Sequence, residues 1–385
     1  MRKSSLNLYK EEHDIFRDSF RKFIEKEMLP YVEEWEEERA MPRSIWKKMG
    51  KEGYLCTWVD DKYGGSGAGF EYSVIIGEEL ARAGVGLGIM SHADIITAYI
   101  AYHGNEWQKE RWLPGCVSGD IVLSVSMTEP NAGSDLQAIK ATALRDGEDY
   151  IINGQKTFIT NGISTDLTLV ACKTDLAADP PSKGISLIAV ESGTPGFSKG
   201  RKLNKLGLHM EDTAELFFED CRVPRKNLIG EEGAAFKILM SELQRERLIV
   251  VIWSQALSER ILSDAVEYAK TREAFGRPIG NFQHNAFKLA EMATEVELGR
   301  AFFDKLVEEF MAGKDIVTRV SMAKWWIAEM ANRVAYNCLQ LYGGFGYMEE
   351  YPIARFYRDV RAQPLYAGTT EIMKLIIARN LGFRA

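Results

Sequence analysis

The most constraining feature of this 385-residue chain is a run of 42 residues, 234–275, that contains neither glycine nor proline. As one continuous helix, such a run would be up to about 60 Å long. Two more long runs follow, 281–312, which is interrupted by a single glycine, and 314–342, which contains neither residue type. Long helices with apolar stripes and short connections are typical of an antiparallel bundle. The pattern therefore predicts a C-terminal helical bundle, with a final helix that begins near Thr369.

The chain before this bundle divides into a helical part and a β-rich part. Residues 11–119 have a helical pattern. From residue 120, β-branched runs predict strands at 121–127, 139–145, 149–152, 156–160, 167–173, 185–191 and 213–222. Turn or hairpin signals separate several of them, at Asp146-Gly147, Asn153-Gly154 and Asn161-Gly162. We predict a mostly α member of the α+β class, with an N-terminal all-α domain (1–120), a central small β-domain (121–230) and a C-terminal antiparallel four-helix bundle (231–385).

Composition and charge exclude several classes of function. The formal net charge of −7 argues against nucleic acid as a partner. No apolar run reaches membrane-spanning length, and the N-terminus lacks the apolar core of a signal peptide, so we expect no membrane association and a cytoplasmic location. Five scattered cysteines fit a reducing compartment. The five histidines show no metal-ligand spacing, so we expect no metal.

A polar corner at 125–135 reads Val-Ser-Met-Thr-Glu-Pro-Asn-Ala-Gly-Ser-Asp. Its small residues would let backbone amides and hydroxyls approach a ring or a phosphate closely. On composition alone the stretch is a polar turn after a strand. It resembles the flavin-binding signature of the acyl-CoA dehydrogenase family, however, and matching motifs recur in order as far as residue 378. The resemblance implies FAD as the cofactor and agrees with the three-part architecture.

The resemblance implies that two segments hold the flavin ring. Thr128 would bond the polar edge of the ring, and Ser134 would lie near both the cofactor and the acyl-CoA. Strand alternation places Phe158 and Thr160 on one side of the second segment, and Thr160 corresponds to the hydroxyl near flavin N5. The family usually has tryptophan at position 158. The cofactor contacts implied here are those of Val125, Met127, Thr128, Gly133, Ser134, Phe158, Ile159 and Thr160.

A third cofactor segment is expected to come from a neighbouring subunit. The turn between the first two bundle helices resembles the family's site for the pyrophosphate of a neighbour's FAD, and a guanidinium suits a pyrophosphate because it offers a rigid fork of donors. The stretch 340–344 lies where the family wraps the adenosine half. The implied contacts are those of Arg272, Phe275, Gln283, Gln340, Leu341, Gly343 and Gly344. Cofactor binding should therefore require a homo-oligomer, and a tetramer is the family's commonest arrangement.

The catalytic base is not at the position where most of the family has it. Residues 365–373 match a family loop that usually has glutamate before the Gly-Thr pair, but this chain has Ala367 there. The long-chain and isovaleryl branches place the base on the first bundle helix, where Glu246 matches. Glu246 precedes an apolar block, and burial would raise its pKa toward the working range of a general base. Glu371 is a weaker candidate for the base, because its family counterpart faces the cofactor. The resemblance implies that Thr369 contacts the cofactor as well.

The implied reaction is α,β-desaturation of a fatty or branched acyl-CoA, with Glu246 removing the α-proton and flavin N5 accepting the β-hydride. An electron-transferring flavoprotein would be the electron acceptor. The implied contacts with the acyl-CoA are those of Ser134, Gln244, Arg247, Tyr366, Ala367 and Gly368. Two alternatives stay open: an acyl-CoA oxidase or monooxygenase of the same fold, and a flavoprotein that binds acyl-CoA without converting it.

Overall fold

A computed structural model describes residues 9–384, and it begins with helices packed around an aromatic core. The helices of this part are α1 (Glu11–Glu27), α2 (Val32–Glu38), α3 (Arg43–Lys51), α4 (Phe70–Ala83), α5 (Leu87–Met90), α6 (Thr97–His103) and α7 (Glu106–Ser118). A π-helical turn, Ser91–Ile96, joins α5 to α6. Residues 96–100, at the start of α6 and just before it, are buried.

The central part is one mixed sheet. Its strands are β1 (Leu123–Ser126), β2 (Thr142–Asp146), β3 (Asp149–Thr160), β4 (Leu167–Lys173), β5 (Ile185–Glu191), β6 (Phe197–Lys202), β7 (Thr213–Pro224) and β8 (Leu228–Ile229). The strand order is β6-β7-β3-β2-β4-β5-β8, and β1 pairs in parallel with β4. Pairing with β4 brings the end of β1 near β3. The polar corner that follows β1 therefore lies close to β3.

The prediction of a turn at Asn153-Gly154 was wrong. The strands predicted at 149–152 and 156–160 form the single strand β3, and the pair lies at a shift in its register with β7. Gly154 has φ +149, and a Cβ there would lie 2.5 Å from the Cβ of Ala141. The glycine therefore allows a bulge and a close approach of β2, not a reversal of the chain. The strands β6 and β8 were not predicted.

The C-terminal part is a bundle of three long helices with two shorter ones. Its helices are α8 (Ala235–Thr271), α9 (Gln283–Met311), α10 (Val317–Tyr342), α11 (Pro352–Val360) and α12 (Thr370–Asn380), and a two-stranded hairpin of β9 (Glu273–Ala274) and β10 (Arg277–Pro278) joins α8 to α9. Gly299 does not interrupt α9. It lies where α9 packs closely against α8, because a Cβ there would be 2.4 Å from the Gln255 side chain.

Helix α8 links the bundle to the N-terminal helices. Its segment 248–253 is buried throughout, and a Cβ on Gly77 of α4 would lie 2.8 Å from the Ile252 side chain, so the two helices pack closely. Arg300 of α9 bonds Glu78 of α4 at 2.6 Å and Glu259 of α8 at 2.6 Å. A buried ionic contact thus fixes three helices around the middle of α8.

Three further observations concern membranes, metal ions and the cysteines. No helix in the described part of the chain is long and apolar enough to span a bilayer. Within residues 9–384 no group of three or more histidine, cysteine, aspartate or glutamate side chains is arranged to hold a metal ion. All five cysteines are unpaired and buried.

Candidate active site

The polar corner after β1 is held by a buried ion pair. Glu129 and Ala132 exchange backbone hydrogen bonds of 2.9 and 3.1 Å, which closes a tight turn at Pro130. The carboxylate of Glu129 accepts from the Lys156 ammonium at 2.8 Å, and Lys156 also donates to the Met127 carbonyl at 3.1 Å. Because both side chains are buried, the pair fixes the segment that contains Thr128 while leaving its surface residues free to meet a ligand.

The two predicted flavin-ring segments lie side by side. The Thr157 amide donates to the Thr128 carbonyl at 2.9 Å. A second shift in register lies between Lys156 and Ile159, and within it Phe158 adopts φ +58 with 68% of its surface exposed. Ile159 is buried and Thr160 half-buried. Phe158 and Thr160 thus lie on the more open side of β3, but the bulge, and not simple alternation, presents the aromatic ring.

Glu246 is half-buried on α8. Its Oε2 atom is buried without a hydrogen-bond partner in the described structure. Burial raises the pKa of Glu246 above its ordinary value, and the nearby charges of Arg247 and Lys324 oppose that rise. A carboxylate with a raised pKa and an oxygen that accepts no hydrogen bond is suited to accept a proton.

The turn at 366–369 is linked to this carboxylate through Lys324. Ala367 and Gly368 adopt left-handed backbone conformations, with φ of +54 and +88. Tyr366 donates its hydroxyl hydrogen to Gln363 at 2.6 Å. Lys324 of α10 donates to the Gly368 carbonyl at 2.6 Å, and its charge also acts on Glu246. Lys324, which sequence reasoning did not single out, thus links the turn that contains the predicted substrate contacts to the surroundings of the predicted base.

Glu371, the rival base, lies in a different environment. It is exposed in the first turn of α12, where the Thr369 side chain caps the helix by accepting from the Ile372 amide. Hydrogen bonds from its own backbone amide and from Thr369 lower the pKa of Glu371. A carboxyl group stabilised in its ionised form is a weaker base than a desolvated one, so the geometry favours Glu246.

The predicted adenosine and pyrophosphate residues largely share one groove. It has a volume of about 510 Å³, and its lining includes Arg272, Gln340, Leu341, Gly343 and Gly344. A Cβ on Gly343 or Gly344 would meet no atom within 4 Å. The open backbone and the exposed Arg272 guanidinium fit a phosphate-containing cofactor. Phe275, at 95% exposure the most exposed large apolar side chain described, lies in the adjoining hairpin, and Gln283 begins α9.

This groove is far from Glu246 in the same chain. At a rise of about 1.5 Å per residue, Arg272 lies about 39 Å from Glu246 along α8. One bound dinucleotide cannot contact both places. The geometry is therefore consistent with a groove that serves the cofactor of a second subunit.

The other predicted contact residues have structural partners. Gln244 accepts from the Ile316 amide at 2.8 Å, just before α10 begins. Arg247 is buried and reaches the Ser321 hydroxyl at 3.5 Å. Val125 pairs with Leu169 in the sheet and Met127 is half-buried after β1. Gly133 and Ser134 are exposed at the corner.

Three residues that support the site were missed: Glu129, Lys156 and Lys324. Lys156 and Lys324 are fully buried, but only Lys324 carried a signal in the sequence, because it lies within the apolar stretch 322–328. A buried lysine needs an acceptor, but the sequence does not identify which one.

Comparison with known proteins follows the same three-part division. Three family models match: the acyl-CoA dehydrogenase N-terminal domain at residues 10–120, the middle domain at 124–221 and the C-terminal domain at 233–382. The chain is 44% identical to the mitochondrial long-chain specific acyl-CoA dehydrogenase of Sus scrofa over 375 residues, 97% of this chain and 87% of the relative. It is 38% identical to the mitochondrial isovaleryl-CoA dehydrogenase of Pongo abelii over 379 residues, 97% and 90% of the two chains. A solved acyl-CoA dehydrogenase from Geobacillus kaustophilus matches with a TM-score of 0.98 and 58% identity, covering 98% of this chain and 100% of that one.

Proposed function

The chain belongs to the acyl-CoA dehydrogenase family, and we propose that it uses Glu246 as the base that removes the α-proton of an acyl-CoA thioester. Its enzymatic class is that of the family, an oxidoreductase that dehydrogenates acyl-CoA. The observation that supports Glu246 is its buried, unpartnered Oε2 atom, near Lys324, which bonds the turn that contains Ala367. Ala367 has no group that could accept the proton.

FAD is the cofactor in this proposal. Thr128, Phe158 and Thr160 would hold its ring, and Arg272 with the 340–344 backbone of a second subunit would hold its pyrophosphate and adenosine. The open backbone at Gly343 and Gly344 supports this assignment. When bound, the flavin accepts the hydride from the β-carbon. We accordingly propose a homo-oligomer, with a tetramer as the expected form.

The residues of the chain have separate tasks in proton removal. Glu246 takes the α-proton from a site that excludes water, where its raised pKa matches it to a weak carbon acid. Negative charge then grows on the thioester oxygen, and the family places a backbone amide of the 367 turn there. Ala367 keeps that amide although it lacks the carboxylate. One such donor typically lowers a barrier by about 3 to 4 kcal/mol.

The finer features of the function are also proposals. The proposed substrate is an acyl-CoA with a fatty or branched acyl chain, and the substrate screen described below determines its length. Electrons leave the enzyme for an electron-transferring flavoprotein, by analogy with the family. The five unpaired cysteines fit a reducing compartment, and we propose the cytoplasm.

Anaerobic mixing of the purified holoenzyme with acyl-CoA tests the proposal. Loss of the oxidised flavin absorbance is expected. A spectrum that shifts without bleaching would instead identify a flavoprotein that binds acyl-CoA silently. Turnover sustained by oxygen alone would identify an oxidase, whereas turnover that needs an added electron acceptor supports the dehydrogenase.

A screen of short, long and methyl-branched acyl-CoA thioesters under the same conditions would define the substrate. The rate of bleaching at saturating thioester is compared across the series. The branch resemblance leads us to expect at least one long-chain or branched thioester among the fast substrates, and a series in which only unbranched short chains react would contradict it.

A further inference from the structure

Lys324 is a buried cation at the junction of three elements of the proposed site. Its side chain is fully buried on α10, and its Nζ atom donates to the Gly368 carbonyl at 2.6 Å. Gly368 belongs to the turn that presents the Ala367 amide. A lysine with no exposed surface is rare unless its charge is used, and this one has a single described hydrogen bond, to a neutral carbonyl.

The charges around Lys324 come from several helices. Glu246 and Arg247 face it from α8, Glu329 lies on α10 and Glu371 on α12. Burial and Arg247 lower the pKa of Lys324 to about 8, whereas the three carboxylates favour its charged form. Glu246 in turn is surrounded by Arg247, Lys324 and the buried hydroxyl of Tyr99 on α6. Among the described residues, Lys324 is thus one of two cations that lower the pKa of the proposed base.

We propose that Lys324 is a positioning residue for the reaction, which fixes the 367 turn through the Gly368 carbonyl and keeps Glu246 in its carboxylate form. This inference rests on the proposed function of Glu246. It assigns a task to a residue on α10, which acts through Glu246 and the 367 turn.

Backbone geometry supports the first half of the proposal. Ala367 and Gly368 are consecutive left-handed residues, and this conformation is unfavourable for alanine. A Cβ on Gly368 would lie 2.6 Å from the Met373 side chain, so the turn is also tightly packed against α12. The Lys324 hydrogen bond holds the carbonyl between these residues and Thr369. Without it, the Ala367 amide would lose its fixed direction.

Electrostatics supports the second half. An opposite charge within a few ångströms stabilises a carboxylate, and the effect is larger where water is excluded. Arg247 is the other nearby cation, and the Oε2 atom of Glu246 accepts no hydrogen bond in the described structure that would add further support. Removing the Lys324 charge should therefore make Glu246 harder to ionise.

The test uses the holoenzyme of Lys324→Met, in which an apolar side chain of similar length replaces the lysine. The probe is an acyl-CoA with sulfur in place of the β-carbon, at the chain length selected by the substrate screen. Sulfur acidifies the α-proton and leaves no β-hydride to transfer, so the proton passes to Glu246 and no oxidation follows. The deprotonated thioester bound against oxidised flavin gives a long-wavelength absorbance band, whose intensity is titrated against pH.

We expect the midpoint of this titration to rise by about one pH unit or more in Lys324→Met. Lys324→Arg retains a positive charge and should restore a midpoint close to that of the unchanged protein. Lys314→Met, the same change at an exposed lysine just before α10, should leave the midpoint unchanged. If Lys324→Met does not fold, the comparison of Lys324→Gln with Lys324→Arg serves in its place. An unchanged midpoint in a neutral variant that still binds FAD and the probe overturns the electrostatic half.

Hydrogen exchange measured by mass spectrometry tests the turn without any turnover. Amides at 366–371 should exchange faster in Lys324→Met than in Lys314→Met, and equal rates would overturn the positioning half. Glu246→Gln separates this inference from the proposed function. If that variant still gives the absorbance band at the original midpoint, Glu246 is not the base; if it abolishes the band while Lys324→Met leaves the midpoint in place, only the role of Lys324 fails.

Discussion

Replacing Glu246 with glutamine is the most direct perturbation of the proposed site. The amide keeps the shape of the side chain but cannot accept the α-proton. A general base typically contributes a factor of about 10² to 10⁴, equivalent to roughly 3 to 5 kcal/mol of barrier. We expect the upper part of this range, because the rival carboxylate, Glu371, is exposed and its pKa is lowered. The rate of flavin bleaching after anaerobic mixing with saturating acyl-CoA should therefore fall at least about 10³-fold.

The control for this variant is Glu242→Gln, one turn earlier on α8. Glu242 already pairs with His103 at 2.9 Å, so the same chemical change there should slow bleaching by less than about tenfold, a loss below roughly 1.4 kcal/mol. FAD content and binding of the sulfur-containing probe are measured in both variants, which excludes loss of the cofactor as the cause. Bleaching in Glu246→Gln within tenfold of the original rate would refute the assignment.

Three further predictions follow from the same contacts. Because burial raises the pKa of Glu246, the bleaching rate should increase with pH through a midpoint above that of a free glutamate; a stopped-flow pH series that stays flat down to the ordinary glutamate pKa would contradict this. Arg272→Ala should weaken FAD retention by about 10- to 100-fold on dilution, measured by flavin fluorescence, whereas Arg277→Ala in the same hairpin, whose guanidinium lies over the Phe282 ring, should not. Lys156→Met leaves a buried carboxylate without its cation and should lower the free energy of unfolding by about 3 to 5 kcal/mol; urea denaturation that shows less than about 1 kcal/mol would count against a structural role for the pair.

The long helices were predictable because their signal is local. A long run without glycine or proline can satisfy its backbone hydrogen bonds as one helix, and α8 and α10 begin and end within a few residues of the predicted limits. Gly299 shows where this reasoning stops, since a glycine in a helix can reflect close packing as well as a break. The same ambiguity produced the error at Gly154, where the glycine accommodates a neighbouring strand.

The candidate site was predictable only in the parts that form motifs. Each of three segments, the corner at Thr128, the strand segment at Phe158 and the turn at Ala367, is a continuous stretch of sequence. A resemblance could therefore identify each of them. The residues that hold these parts together are not contiguous: Lys156 lies 27 positions from its acceptor Glu129, and Lys324 lies 44 positions from Gly368. Such pairs are determined by the tertiary fold, and a single sequence contains no signal that joins them.

The structure also gives a physical reason why the base can lie on α8. Proton removal needs a carboxylate that is held rigidly and away from water, and Glu246 lies in a 37-residue helix just before its buried segment 248–253, with its Oε2 atom buried. Polarising the thioester needs only a backbone amide in a fixed direction, which Ala367 supplies without its side chain. The two tasks can therefore lie on separate elements, provided that one group keeps α8 and the 367 turn in a fixed relative position. Lys324 is placed to do so, because it bonds the turn directly and acts on Glu246 through its charge.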